Sequence, residues 1–345
     1  MCLSAKTKHT TREGITMDII QDSSRIYKWN TLKKVSVLVS KALKKDALTR
    51  KRGVLMASCS DRIIYKIEES GALTYAGTWL CRDRLCPICA WRLSVRRVAE
   101  MIKTVAILAE RYPDTKAVHV VLTVKNCSLD MLGITIRAMS EGFARLRRRT
   151  LWNDYIKGYV RSVEITRNKK TGEYHPHIHI VAIVPSFYTR QISIGDWQDL
   201  WMDCARLAYL PQVFASHAYT KKDIPEAKFK MIWDKANDTE GAAKKAIIEA
   251  VKYPMKPISL QSTAESGDLP EIAGQLQGIR LMSTGGIIKT IRRELGYSDT
   301  EPRTLDEVTI NPNEGIDRYY LVYKWAGSIG EYVGELTMDI SSHKE

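Results

Sequence analysis

Hydrophobic and polar positions along the chain follow two periods, and turn-forming residues separate them. Residues 174–184, YHPHIHIVAIV, alternate and then become almost wholly apolar. β-branched residues in alternation predict a strand. Side chains at i and i+2 share one face of a strand, so His175, His177 and His179 line up. Behind them Ile180, Val181, Ile183 and Val184 read as a stretch buried on both sides. Residues 117–124 (AVHVVLTV) predict another strand, and residues 159–166 (YVRSVEIT) a third. The turn segment 168–173 (NKKTGE) joins that third strand to the histidine strand as a hairpin. Glu164 then falls near the end of the strand that pairs with His177 and His179.

Helical spacing fills the intervals. Residues 128–152 predict a long helix capped by Ser128, residues 192–207 a second, and a third begins near Ala242. Between the last two, residues 227–235 (AKFKMIWDK) predict a strand. Counted from Ala117 the order is strand, helix, strand, strand, helix, strand, helix. An α+β fold with a central antiparallel sheet and flanking helices fits this order, and βαββαβ is one named form of it. Upstream, Leu32, Val35, Val39, Ala42 and Leu43 mark a helix within residues 25–52. Residues 63–79 form a hairpin pattern, and residues 91–112 another helix. Residues 1–24 read as a loose polar arm. Near the C-terminus RYYLVYKW is either a strand that pairs back or a partner surface.

With 345 residues, one large or two modest domains are expected. The expected division is a basic arm and helix (1–54), a Cys-rich subdomain with a basic helix (55–112), a central domain (113–297) and a C-terminal extension (298–345). A 44% hydrophobic and 27% charged composition is that of a globular chain. The net charge of +14 points to a polyanionic partner. No apolar run approaches the ~18 residues of a spanning helix. The N-terminus lacks a secretory apolar core, so the cytoplasm is the default location and no membrane partner is expected. Residues 25–52 hold ten Lys or Arg against the single acid Asp46, which suits phosphate contact or a solvated face.

Candidate chemistry gathers at three places. Cys81, Cys86 and Cys89 sit at spacings that wrap one ion, and Cys59 upstream is a fourth thiol. Four thiolates make a closed structural zinc site. Cys2, Cys127 and Cys204 have no such company. Arg92, Arg96 and Arg97, directly after this block, suit DNA phosphates or merely solvate the helix. Arg145, Arg147, Arg148 and Arg149 complement a helix C-terminus as readily as they contact DNA. The second place is the histidine strand. Two imidazoles at i and i+2 can hold one metal ion, and Glu164 completes a mixed set that Mg²⁺ or Mn²⁺ accepts. The alternatives there are surface histidines and a salt bridge from Glu164 to Arg161 or a turn lysine. The third is Glu249 and Tyr253, one helical turn apart, followed by the pair Lys252 and Lys256. Pro254 sets Tyr253 at or near a helix end. Alone, a Glu–Tyr pair of this kind reads as surface packing.

Together these blocks resemble the plasmid rolling-circle replication initiators (Rep) of the HUH endonuclease superfamily. WLCRDRLCPICAWRLS is similar to the family's cysteine block and VVLTVKNC to its first strand motif. EITRNKKTGEYHPHIHIVAIV resembles the metal motif, EAVKYPMK the tyrosine motif, and GIRLMSTGGIIKTIRREL a weaker block that follows. The likeness spans residues 55 to 295, and Pro254 directly after the tyrosine departs from the pattern. The resemblance implies a ferredoxin-like or RRM-like palm carrying the metal site, beside a small zinc subdomain. It implies nicking of single-stranded or hairpin origin DNA by Tyr253, a 5′-phosphotyrosine link and a 3′-OH primer. Glu249 would activate water at termination, Lys252 and Lys256 would hold phosphate, and Mg²⁺ or Mn²⁺ would sit on His177, His179 and Glu164, with His175 as alternate. Host helicase, host polymerase and a second copy of the chain are the partners to expect. Conjugative relaxases and HUH transposases share the metal motif, and a non-enzymatic zinc-containing DNA-binding regulator would account for the charge and cysteines alone.

Overall fold

The patterns resolve into two units, Met1–Ala90 with Arg303–Glu345, and Trp91–Pro302. The computed structural model describes residues 7–10, 16–19, 23–186, 188, 192–217, 257–298 and 319–338.

In the first unit, β1 (Thr7–Thr10) and β2 (Thr16–Ile19) pair as an antiparallel hairpin. This segment reads from composition as a loose arm, but its Thr and Ile positions favour extended backbone. α1 (Ser23–Lys44) and α2 (Arg50–Ala57) follow. Leu32, Val35, Val39, Ala42 and Leu43 are all buried, while Lys34, Lys41, Lys44 and Lys45 face solvent. Asp46 closes the turn between the helices by accepting from the N–H groups of Leu48 and Thr49. Gly53 lets the helices touch: Ser40 Oγ donates to its carbonyl at 2.8 Å. The predicted hairpin is β3 (Arg62–Ile67) and β4 (Leu73–Thr78). It belongs to a four-stranded antiparallel sheet completed by β10 (Tyr320–Ala326) and β11 (Glu331–Thr337), in the order β11-β10-β3-β4. The segment RYYLVYKW therefore pairs back, with Leu321 opposite Tyr65 and Tyr323 opposite Ile63.

The division between the units falls inside α3 (Pro87–Arg111). In the second unit, β5 (Thr115–Thr123), β6 (Gly158–Arg167), β7 (Tyr174–Pro185), β8 (Val213–His217) and β9 (Met282–Gly285) form one antiparallel sheet. Its order is β8-β5-β7-β6-β9. Numbering the first four of these strands along the chain gives 4-1-3-2, with β9 added at the edge. That is the sheet of a βαββαβ unit, so the expected α+β class holds. The strand AKFKMIWDK and the third helix lie outside the described residues. β8, which the periodicity did not predict, takes the place beside β5.

Helices cover both faces. On one, Met101, Val105 and Leu108 of α3 meet Val160, Val181 and Ile183 of the sheet, with Ile288 and Ile291 of α9 (Gly286–Glu294). On the other lie α4 (Leu132–Leu146), α5 (Thr150–Tyr155) and α6 (Ile194–Ala205). Phe143, Trp152 and Tyr159 meet there edge to face at 5.4–5.5 Å between centroids. The long helix expected over 128–152 is two helices, and it starts after Met131 without a Ser128 cap. The break serves docking onto α6. Arg145 Nε donates to the Cys204 carbonyl at 2.6 Å, and Arg149 pairs with Asp203. Gly142 allows the close approach, since a Cβ there would lie 3.0 Å from the Cα of Ala205. α6 starts with the capping box Ser193–Asp196. Helices α7 (Pro257–Ser266) and α8 (Leu269–Gln275) precede β9.

Arg161 lies on the helix-covered face opposite Glu164, so the salt bridge open to that pair does not form. Its guanidinium sits over Phe143 at 5.3 Å and donates to Ser140 Oγ at 2.9 Å. Burial pushes its pKa down to about 10. No helix among the described residues is long and apolar enough to cross a membrane.

The junction from β9 to α9 depends on two glycines. Gly286 has φ +57°, and a Cβ there would collide with the Lys157 carbonyl oxygen, while one on Gly285 would enter the Tyr159 ring. A left-handed non-glycine residue costs roughly 1–2 kcal/mol before any overlap is counted. Gly286→Ala should therefore lower unfolding stability by more than ~2 kcal/mol, read from the urea midpoint. An unchanged midpoint would show that the junction is not constrained.

Candidate functional site

β7 lies between β5 and β6, so every polar side chain on it has neighbours on both sides. Register places Glu164 opposite His177 and Ser162 opposite His179. Directly opposed residues share a face, and their side chains meet. His179 Nε2 lies 3.0 Å from Glu164 Oε2, and His177 Nε2 lies 3.4 Å from the same oxygen. One donor atom from each of the three residues falls within 4.8 Å of the others.

The donor atoms are suitably disposed for a cation. His177 Nδ1 is 3.2 Å from the His175 carbonyl oxygen, which can only accept, so Nδ1 carries the hydrogen. Its Nε2, 3.4 Å from Glu164 Oε2, is the nitrogen that faces the carboxylate. Two electron-rich groups at that range require a proton or a metal ion between them. Two imidazoles and one carboxylate form a mixed nitrogen and oxygen set that a hard divalent ion accepts. The structure is compatible with a divalent metal at this point.

His175 stands apart from that donor set. Its Nδ1 is 3.0 Å from Asn126 Oδ1, and its ring lies 5.3 Å from that of His177. Burial, and then the nearby His177, hold its pKa below the ordinary imidazole range. Asn126 in turn lines a cleft of about 500 Å³ between the β5–α4 loop and the end of α6. The periodicity gave no role to His119 on β5. Its Nε2 lies 3.1 Å from His179 Nδ1. Only the pairing of Val121 with His179 reveals that His119 shares the metal face. Glu249, Tyr253, Lys252 and Lys256 lie outside the described residues.

In the other unit, Cys59, Cys81, Cys86 and Cys89 come together. Sγ atoms lie 3.6 Å apart for the pairs Cys59–Cys89, Cys81–Cys89 and Cys59–Cys86. Disulfides need about 2.05 Å, whereas a tetrahedron with zinc–sulfur bonds of about 2.3 Å has edges near 3.8 Å. Backbone N–H groups of Cys81 and Arg82 point at Cys59 and Cys89 sulfurs at 3.4 and 3.2 Å. Arg82 has φ +59°, which turns its N–H inward. Burial alone would raise the Cys86 pKa, but hydrogen bonds from the other three thiols outweigh it and hold Cys86 well below the usual thiol range. The cluster is compatible with Zn²⁺.

Two cations brace this loop. Arg52 grips Asp83 with two bonds of 2.7 and 3.0 Å, and Asp83 caps the Leu85 N–H inside the cysteine loop. Lys33 is fully buried and donates to the carbonyls of Ala57 and Cys59 and to Asp61, at 2.7–2.9 Å. Of the arginines expected near DNA, Arg96 pairs with Glu100 at 3.0 Å and Arg92 lies 5.9 Å from the Trp91 ring centre. Arg97 is half-buried on the same helix.

Comparison with known proteins gives a consistent result. The profile of a family described as "Replication protein" matches residues 72–333. A "Protein rep" of Streptococcus pneumoniae is 31% identical over 251 residues, covering 71% of this chain and 72% of the relative. A "Protein rep" of Bacillus amyloliquefaciens is 28% identical over 298 residues, covering 82% and 85%. No solved structure matches.

Removing the Lys33 ammonium strands the Ala57 and Cys59 carbonyl oxygens, while the half-exposed Asp61 carboxylate is left to water. Each buried acceptor so stranded costs about 1–3 kcal/mol. Lys33→Met should therefore lower stability by roughly 3 kcal/mol or more, measured by chemical denaturation. A loss below about 1 kcal/mol would mean that water replaces the ammonium freely.

Proposed function

The chain belongs to the replication protein family, and from that premise we propose that it initiates plasmid rolling-circle replication by nicking one strand of origin DNA. The observation that carries this reading is the convergence of Glu164 of β6 with His177 and His179 of the neighbouring β7 in a member of the replication protein family. A phosphodiester is anionic and resists nucleophiles. These three side chains would hold Mg²⁺ or Mn²⁺, which would supply Lewis acidity at a phosphate oxygen.

Tyr253 is the proposed nucleophile. Its Oη forms a bond to phosphorus as the bond to the 3′ oxygen breaks, leaving a 5′-phosphotyrosine and a free 3′-OH that primes synthesis. An ordinary tyrosine has a pKa near 10, so about one in a thousand is phenolate at pH 7 and its proton must be taken up in the step. Lys252 and Lys256 neutralise the phosphate beside it. Glu249 takes a proton from water at termination, so that the final cleavage ends in hydrolysis and one tyrosine suffices. Arg92, Arg96 and Arg97 add phosphate contacts. His175 remains outside the donor set and acts as a polar flank of the site. Cys59, Cys81, Cys86 and Cys89 would hold a structural zinc with four thiolates, the ligand set of a closed site that supports the fold and not the chemistry.

The decisive test uses a single-stranded origin oligonucleotide labelled on the 3′ side of the nick, with Mn²⁺ or Mg²⁺. The label should migrate with the protein on a denaturing gel, and chelator should abolish this. Tyr253→Phe should give no adduct, whereas Glu249→Ala should form one and fail to release it by hydrolysis. An adduct that survives Tyr253→Phe removes the tyrosine assignment, and no adduct with wild type removes the enzymatic reading. For the cysteine cluster, purified protein should carry about one zinc per chain, and Cys86→Ser should lose it and unfold at lower temperature. Folded wild-type protein free of zinc would overturn that assignment.

A further inference from the structure

Of the polar residues on the sheet face that carries the donor set, His119 has no role in the chemistry proposed above. It comes from β5, and its position opposite Val181 puts it one step diagonally from His179. Its Nε2 approaches His179 Nδ1 at 3.1 Å, and the two ring planes differ by only 6°. In that arrangement an N–H lying in one ring plane can point at the in-plane lone pair of the other. Phe214 of β8 sets its ring against the other side of His119 at 6.3 Å, inclined by 68°. Neither neighbour lets the His119 ring turn away without losing a contact.

The consequence follows from the two nitrogens of an imidazole. A neutral ring that offers its Nε2 lone pair to a metal carries its hydrogen on Nδ1. For His177 that hydrogen is received by the His175 carbonyl oxygen. For His179 that place beside Nδ1 is occupied by His119 Nε2, at 3.1 Å. Ligand histidines in general owe their tautomer and ring orientation to the acceptor bound at the other nitrogen, and losing that acceptor weakens metal affinity about 10–100-fold.

We propose that His119 is a positioning residue: it receives the Nδ1 hydrogen of His179, fixing the tautomer and rotation that turn His179 Nε2 toward Glu164. This rests on the metal reading of Glu164, His177 and His179. His119 itself contributes no donor atom to the ion. It therefore adds a third strand, β5, to a site otherwise built from β6 and β7 alone.

The test measures Mn²⁺ affinity of the full chain by loss of the free-ion electron paramagnetic resonance signal. It is made on wild type, His119→Phe and His119→Gln. Phenylalanine keeps a flat ring but accepts no hydrogen bond, and glutamine keeps an acceptor on a flexible arm. His119→Phe should weaken Mn²⁺ binding about 10-fold or more, and His119→Gln should recover part of it. Nitrogen couplings of bound Mn²⁺ should count two imidazoles in wild type and in His119→Gln alike. Equal affinity in His119→Phe and wild type overturns the proposal, and so does a third imidazole coupling in wild type that His119→Gln loses. A thermal midpoint in chelator that matches wild type in either variant assigns the loss of affinity to the site; if both variants unfold, the proposal falls as a structural role. Wild type that binds no Mn²⁺ instead sinks the metal reading on which the proposal rests.

Discussion

The pairing register of β7 decides what the site contains. A slip of one residue would turn every side chain of β7 to the opposite face. What prevents the slip is the apolar half of the strand. Ile178, Ile180, Ala182 and Val184 are buried toward α4 and α6, and Val181 and Ile183 toward α3 and α9. Fully burying one large aliphatic side chain contributes about 1.5–3 kcal/mol, whereas a hydrogen bond nets about 1 kcal/mol. The core therefore outweighs any preference of the histidines and dictates where they go. The turn agrees with it: Asn168 accepts from Lys170 and Thr171 N–H groups, and Gly172 adopts φ +77° to close the loop. Glu164 reaches His177 because the hydrophobic end of the strand has no other satisfactory alignment.

The two clusters that could hold metal differ in what surrounds them. Around the cysteines, backbone N–H groups point at sulfur, and the buried Lys33 and the half-buried Arg52 tie the flanking loops. Such surroundings spread the negative charge of thiolates and leave a soft, closed donor set. Around Glu164 the donors are one carboxylate and two imidazoles on one sheet face, partly open to solvent. Hard divalent ions keep solvent oxygens in their coordination, so a mixed and partly exposed donor set suits them as a closed set of thiols does not. The chemical contrast follows from ligand type and exposure before any reaction is considered.

Much of this was legible from residue order, and the losses have specific causes. The alternation in residues 174–184 and the turn at 168–173 were enough to pair Glu164 with the histidine strand. Helical spacing found the five apolar positions 32, 35, 39, 42 and 43 on the buried face of α1, but not the buried Lys33, Ser36 and Ser40 beside them. The cysteine spacing alone could not decide on Cys59, which reaches the cluster through the β3–β4 hairpin. His119 was hidden because its partner is 60 positions away and local periodicity holds no information on which strands adjoin. The break after Leu146 was hidden for a similar reason. A run of arginines at a helix end reads as dipole compensation, yet Arg145 and Arg149 bond to the carbonyl of Cys204 and to Asp203 across the helix pair.

Net charge located no DNA surface, because many of the arginines have structural duties. Arg52 holds the cysteine loop, Arg161 lies under α4, Arg167 binds Asp268 at 3.1 Å, and Arg292 is 2% exposed. On α3 one carboxylate serves two arginines of very different burial. Glu100 uses one oxygen for Arg96 and the other for Arg292, at 3.0 and 3.1 Å. Arg292 is buried and must keep its partner, since stranding a buried charge costs several kcal/mol. Arg96 is partly exposed, and an exposed pair of this kind is worth about 0.3–0.5 kcal/mol. Glu100 would therefore stay neutralised by Arg292 even without Arg96. The Arg96–Glu100 pair is thus worth little to the fold, in contrast to the pair that the same carboxylate makes with buried Arg292.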